Sequence, residues 1–140
     1  MDFRLLGKSD FKPPQKPEDA VLEIFPNQYK ERSYLIKFDC QDFTSHCPVT
    51  GQPDFAKISI QYVPNESCIE TKSLKYYLHS FRNTAAFNEK VINTILNDLV
   101  EACQPRWMQV KGEFAARGGI ALTTIAEHPD FDWEKHFKHK

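Results

Sequence analysis

The run Ala56-Lys57-Ile58-Ser59-Ile60-Gln61-Tyr62 alternates apolar and polar residues without a break, and Val63-Pro64-Asn65 closes it. A period of two marks a strand with one buried face. A few residues on, the period changes: Leu74, Tyr77, Leu78 and Phe81 fall at i, i+3, i+4 and i+7, the stripe of an amphipathic helix. Ser73 or Thr71 is placed to cap its start. Upstream, Tyr34, Ile36 and Phe38 lie opposite Ser33 and Lys37, which reads as a strand interrupted only at Leu35. Downstream, Val91, Ile92, Ile95, Leu96, Leu99, Val100 and Cys103 form the apolar stripe of a second helix, from about Phe87 to Cys103, which Pro105 stops. Met108, Val110 and Phe114 alternate with Gln109, Lys111 and Glu113 as a third strand. Ile120 to Ile125 reads as a fourth, after Arg117-Gly118-Gly119.

The order is therefore β-β-α-α-β-β. It predicts an α+β fold with an antiparallel sheet and both helices on one face. One helix layer leaves the other sheet face half apolar and the outer strands unpaired, so assembly into a larger sheet is expected. Residues 1–17, with Lys8, Lys12, Lys16, Pro13, Pro14 and Pro17, read as an N-terminal arm. Residues 18–128 form the domain, and 129–140 a charged, aromatic tail.

With 140 residues, 41% of them hydrophobic and 11 Phe, the chain can bury a core of its own. A net charge of −1 gives no electrostatic case for a nucleic-acid partner. No stretch approaches the ~18 apolar residues of a membrane span, and no apolar signal region opens the chain. The four cysteines, Cys40, Cys47, Cys68 and Cys103, match neither a small disulfide framework nor a zinc pattern. No metal is expected, and a reduced, cytoplasmic setting is the simplest reading. Neither GxGxxG nor GxxxxGK[ST] occurs, so any nucleotide cofactor binds without a Rossmann or P-loop fold.

The chemistry concentrates in Cys47-Pro48-Val49-Thr50-Gly51-Gln52-Pro53-Asp54. Two prolines and a glycine hold a thiol in a turn, and a carboxyl group follows where a strand begins. Cys47 can supply a nucleophile and Asp54 a proton, a pair suited to attack on an electrophilic carbon and protonation of a heteroatom. The plain alternatives are a small buried thiol and a strand-leading Asp that bonds a backbone amide. His46 reads as exposed and incidental. In Glu70-Thr71-Lys72-Ser73-Leu74-Lys75, cations and a hydroxyl at a helix start could hold a phosphate, although a capped, solvated first turn looks the same in sequence. A buried Glu70 could instead accept paired N–H donors from a purine-like ring. Glu89 is either a grip on a heterocycle or a residue that complements the helix dipole. Arg117-Gly118-Gly119 is either an ordinary turn or a place where backbone approaches a ligand.

Together, Cys47-Pro-Val-Thr-Gly-Gln-Pro-Asp54, Glu70-Thr-Lys-Ser-Leu-Lys-Tyr-Tyr77, Phe81-Arg-Asn83 with Phe87-Asn-Glu89, and Arg117-Gly-Gly-Ile120 resemble the short, single-domain NADPH-dependent 7-cyano-7-deazaguanine reductases, nitrile reductases of queuosine biosynthesis. The resemblance spans roughly Val21 to Ile125. It implies the tunnelling fold, shared with GTP cyclohydrolase I, assembled into barrel-like rings as a decamer of two pentamers with active sites between subunits. It implies that Cys47 forms a covalent thioimide with the nitrile, that Asp54 protonates the nitrogen, and that two NADPH carry the product to the amine. Glu70, Thr71, Asn88 and Glu89 match substrate-binding positions. Lys72, Ser73, Lys75, Arg117 and Gly118 match the cofactor region. Thr71 stands where the family usually has Ser, and Asn88 where it typically has His. Asn hydrogen-bonds but is no acid at neutral pH, so the first half of the reaction should survive better than the second, unless His79 or a water substitutes. Two other readings are a transferase that captures the same nitrile on tRNA to make an amidine, and a catalytically impaired deazapurine binder.

Overall fold

The computed structural model describes residues 12–137. Its main sheet has four antiparallel strands in the order β2-β3-β5-β6: β2 (Ile36–His46), β3 (Pro53–Val63), β5 (Trp107–Arg117) and β6 (Ile120–His128). Two helices, α1 (Thr71–His79) and α2 (Asn88–Cys103), follow β3 in the chain. A small second sheet pairs β1 (Ile24–Pro26) with β4 (Ser67–Ile69), and a one-turn helix, α3 (Trp133–Phe137), ends the described chain. The expected arm falls mostly on residues outside the described ones. Of its described part, Pro17 is buried at the head of a 3-10 turn.

The alternation in β3 does what its sequence predicts. Ala56, Ile58, Ile60 and Tyr62 are buried, while Phe55 and Lys57 are exposed. The stripe on α2 meets the same side: Val91, Ile92, Ile95, Leu96, Leu99 and Cys103 are all buried. Each fully buried Ile or Leu contributes about 1.5–3 kcal/mol by leaving water, so this interface dominates the fold. Gly112 in β5 makes the contact close. A Cβ there would lie 2.4 Å from Ile92 Cδ1 and 2.9 Å from Phe114 Cε2. Aromatic rings join α1 to β2: Phe81 packs 5.6 Å from Phe43 and 5.3 Å from Tyr77, centroid to centroid. Gln104, at φ 49, caps the end of α2 with its N–H on Val100 O, and Pro105 follows.

Three elements differ from the sequence expectation. The first strand does not stop at Phe38 but runs to His46, because a register shift between Cys40 and Phe43 breaks the alternation that a period-two reading follows. The pair β1 and β4 has three residues each, too short for a periodic signal. At the start of α1 neither Ser73 nor Thr71 is the cap. Glu70 is, accepting the amides of Lys72 at 2.8 Å and Ser73 at 2.7 Å.

Gly112→Ala should cost about 1–3 kcal/mol by overpacking, seen as a lowered melting temperature, and Ile92→Val in the same chain should recover part of the loss. An unchanged melting temperature for Gly112→Ala would show that the sheet–helix contact is looser than described.

Candidate active site

Cys47 follows the last residue of β2, and Asp54 is the second residue of β3. The strand register pairs Ser45 with Asp54 and His46 with Pro53. The turn between them is closed twice over, by Cys47 N–H on Gln52 O and Gly51 N–H on Cys47 O, both at 2.9 Å. Gly51 supplies the φ of 73 that this path needs. Backbone bonds also tie the end of β2 to the segment before α2: His46 N–H to Thr84 O at 2.9 Å and Ala86 N–H to His46 O at 3.0 Å. Sequence-distant Asn88, two residues beyond Ala86, is thereby held close to the thiol's strand.

The thiol is partly exposed and is drawn down to about 7, first by the hydroxyl of Thr50, then by the backbone amides of Thr50 and Val49, with the Arg117 cation adding to them. The other thiols move oppositely where a shift exists: burial pushes Cys103 up to about 12, and burial raises Cys40. All four are free thiols. His46 turns Nδ1 to Gly51 O at 3.2 Å, so it braces the turn.

Arg117 arrives from the end of β5. Nη1 donates to Asp54 Oδ1 at 2.7 Å, and Nη2 reaches Thr50 Oγ1 at 3.3 Å and Gln52 Oε1. Its pKa is raised, chiefly by the bond to Asp54, itself almost wholly buried. The guanidinium expected to face a cofactor thus sits on the acid of the nucleophile pair. Gly118 and Gly119, both at positive φ, form the exposed turn after it.

Glu70, Thr71, Lys72, Ser73 and Lys75 lie elsewhere. Ile69 N–H bonds Tyr62 OH at 2.9 Å, which sets Glu70 near the far end of β3. Tyr62 lies eight positions along β3 from Asp54, roughly 26 Å at ~3.3 Å per residue. Ser73 is fully buried, and its hydroxyl donates to Glu70 O and accepts Glu23 N–H, so it fastens backbone rather than facing a cofactor. Thr71 and Lys75 are exposed. Thr71, Lys75, His79 and Arg82 form one wall of a groove of about 590 Å³ against Asp39, Asp42 and the β2 backbone around them. His79 bonds Arg82 at 2.7 Å, and within the chain it has no contact with Cys47 or Asp54. Glu89 is exposed in the first turn of α2.

Each half carries buried polar atoms without a partner among the described residues: Ser45 Oγ on β2 and Asn88 Oδ1 at the start of α2, and both carboxylate oxygens of Glu23, whose backbone bonds Glu70. Such atoms are rare in folded chains and call for a ligand, a water or a partner chain. Sequence reading missed Thr50, Gln52, Ser45 and Glu23. Only Glu23, a lone acid in Val21-Leu22-Glu23-Ile24-Phe25, gave a usable signal.

A thiol drawn toward thiolate, near an ion-paired acid on an antiparallel sheet with two helices, has the residue types that thiol chemistry needs. Residues 53–133 match the QueF-like protein family. The chain is 45% identical to an NADPH-dependent 7-cyano-7-deazaguanine reductase of Staphylococcus saprophyticus, over 99% of this chain and 85% of that protein. It is 49% identical to one of Bacillus velezensis, over 86% and 74%. Among solved structures, an archaeosine synthase QueF-Like in the apo form aligns with a TM-score of 0.65 at 19% identity, over 70% of this chain and 96% of that one, a likeness of fold alone. The chain belongs to the QueF-like family, with the NADPH-dependent 7-cyano-7-deazaguanine reductases.

Alkylation of Cys47 by iodoacetamide should rise with pH through a midpoint of about 7 and then level off. Cys103 should stay unmodified in the folded protein, buried and with its thiol held protonated. Equal labelling of the two, or a Cys47 midpoint in the ordinary range of ~8.5, would contradict this electrostatic picture.

Proposed function

We propose that the protein reduces the nitrile of 7-cyano-7-deazaguanine to 7-aminomethyl-7-deazaguanine with NADPH, through a covalent adduct on Cys47, as the queuosine pathway of the resembled family implies. The observation that carries this reading is the Cys47 thiol, held in a doubly closed turn, drawn toward thiolate and placed one residue beyond the ladder that pairs Ser45 with Asp54. The archaeosine synthase shares the fold at low identity, whereas the reductases share nearly half the sequence. A net charge of −1 gives a tRNA substrate no electrostatic hold.

In the resting site Asp54 accepts Arg117 Nη1 on Oδ1 at 2.7 Å, and its other oxygen is left to accept a proton. It therefore first takes the thiol proton and then gives it up. The sulfur adds to the nitrile carbon, one C–N π bond opens onto nitrogen, and Asp54 hands that nitrogen the proton. Thiol and nitrile sum to the thioimide, and Asp54 returns to its ion pair unchanged. Capture on sulfur turns a poor hydride acceptor into a better one.

The basic wall of Lys75, His79 and Arg82, with Lys72 in the same first turn of α1, fits the phosphates of an anionic cofactor. Glu70 already occupies the amides of Lys72 and Ser73, so these side chains, not the helix start, would hold it. When bound, NADPH supplies hydride, two for each nitrile carried to the amine. Asn88 presents a buried carbonyl oxygen with no partner, an acceptor suited to an N–H of the bound imine but not to proton delivery.

The Cys47–Asp54 cluster and the Glu70 cluster lie too far apart in one chain to touch one small molecule. A second copy must supply the missing half, and the ring assembly of two pentamers is the arrangement the resemblance implies. No helix among the described residues is long and apolar enough to cross a membrane.

Purified protein should consume two NADPH per nitrile, and Cys47→Ala should consume none. Consumption stopping near one would place the block at the imine and at Asn88, while none at all in the unmodified protein would rule out the reductase. Mixing Cys47→Ala with Glu70→Ala, each inactive alone, should restore activity on subunit exchange. A mixture as inactive as its parts would contradict a site shared between chains.

A further inference from the structure

A guanidinium carries five N–H donors and no acceptor, so the bonds an arginine makes show what it still offers. Arg106 spends its donors on Asn65 Oδ1, Ser33 Oγ and Lys30 O, and Arg117 spends its own on Asp54, Thr50 and Gln52. Arg32 lies over the Tyr29 ring. Arg82 differs. Its bond within the described chain runs from Nη1 to His79 Nε2 at 2.7 Å. Arginine cannot accept, so His79 Nε2 does, and the hydrogen of its ring sits on Nδ1. That bond leaves the Nε–H and Nη2–H edge of Arg82, a fork that fits two oxygens of one phosphate. Among the described residues no carboxylate pairs with it. Arg82 stands on a short 3-10 helix, Ser80–Asn83, that follows α1 directly. Phe81 beside it is packed against Phe43 and Tyr77, and Thr84 N–H closes the turn on Phe81 O at 2.8 Å. The backbone beneath Arg82 is thus fixed where it borders the groove between α1 and β2. Leu74, Leu78 and Phe43 give that groove a buried apolar lining.

We propose that Arg82 selects the phosphorylated cofactor, NADPH over NADH, with His79 as the positioning residue that braces it. This inference rests on the reading of the groove as the cofactor site of a reductase. The two cofactors differ by one phosphate monoester on the adenosine ribose, next to the adenine ring. An apolar lining for a base, beside a guanidinium with a free fork, matches that end of the molecule. A monoester carries about −1.5 to −2 charges at neutral pH, more than either phosphate of the pyrophosphate, so a bidentate cation gains most from it. Lys75, exposed on the same wall, adds a point charge. Asp39 and Asp42 on the facing wall have the opposite sign, and Asp39 Oδ1 already accepts Ser59 Oγ at 3.1 Å. They repel a phosphate that strays across and hold it to the α1 side. His79 acts only through Arg82. Without an acceptor at that place the long side chain is free to turn into solvent, and ordering it costs binding energy.

The test is direct binding of NADPH and NADH, read by cofactor fluorescence without nitrile, in the wild type, Arg82→Gln, Arg82→Lys, His79→Leu and His79→Gln. The wild type should prefer NADPH. Arg82→Gln should weaken NADPH about 10- to 100-fold, as expected for a lost charge-assisted contact, and leave NADH within about twofold. Arg82→Lys keeps the charge without the fork and should recover only part of the preference. His79→Leu should narrow the preference, and His79→Gln, whose side-chain oxygen replaces the acceptor, should restore it. Both side chains are exposed, so melting should not change. Equal losses for the two cofactors in Arg82→Gln would place the residue on the shared pyrophosphate and overturn the proposal. An unmoved preference, or a wild type without one, overturns it as well, and a His79→Leu protein that keeps the full preference removes the brace. A check that needs no variant is competition: adenosine 2′,5′-bisphosphate should displace NADPH from the wild type far better than adenosine 5′-monophosphate, and equal displacement contradicts the assignment. Nitrile turnover by the wild type is read alongside. Turnover with an unmoved preference removes the role of Arg82 and leaves the reductase, while a moved preference without turnover does the reverse.

Discussion

Pairing Ser45 with Asp54 across β2 and β3 settles on which face of the hairpin the carboxylate lies, and every other feature of the site inherits that choice. A slip of one residue would carry Asp54 to the opposite face and bury Phe55 in its place. Two things prevent the slip. The buried alternation from Ala56 to Tyr62 is pinned against α2, and the turn from Cys47 to Gln52 is closed at both ends by backbone bonds. The ladder fixes the acid, the turn fixes the thiol, and Arg117 spans the two from a third strand. Acting as the proposed catalytic pair, a thiol and an acid mounted at the end of paired strands would need little rearrangement, the usual advantage of placing chemistry where scaffold meets loop.

Residues that act through local pattern were readable in the sequence. The strand of Ala56 to Tyr62, the helix stripe ending at Phe81, the second helix stopped by Pro105, and the Cys47 and Asp54 pair all announce themselves within short windows. What escaped depends on contacts between distant segments. The extension of β2 to His46 is hidden by a bulge that breaks its period. Thr50 reads as one more turn residue until Arg117 is found 67 positions away in sequence, pressing on its oxygen. Glu70 has the composition of a ligand-binding acid and the position of a helix cap, and the structure uses it as the cap. Glu23 stands out in sequence as a lone acid in an apolar run, but only the fold shows its carboxylate buried, with its backbone bonded to Glu70.

The unpartnered buried groups sort into two sets, one at each end of β3, and that division has a physical meaning. Ser45 lies on β2 opposite Asp54 and Asn88 opens α2, while Glu23 lies near the cap of α1. Desolvated polar atoms are costly to leave unpaired, so neither set is at rest in an isolated chain. The edges of the four-stranded sheet among the described residues, β6 and β2 up to its bridge from His46 to Ala85, could give copies of the chain a way to meet. On the proposed reading, substrate recognition, cofactor charge and oligomer assembly become aspects of one requirement, that the two ends of different chains face each other. On the proposed reading, Asn88 binds without delivering protons.

The central claim is that Cys47 bonds covalently to a nitrile without help from the cofactor, because the turn and Asp54 together supply the thiolate and the proton. Intact-mass measurement of the protein incubated with 7-cyano-7-deazaguanine alone tests this most directly. A gain equal to one nitrile molecule per chain, located on Cys47 and absent in Cys47→Ala, is the predicted result. A chain whose mass does not change, under conditions where the folded protein is intact and the thiol is alkylated normally by iodoacetamide, would contradict it.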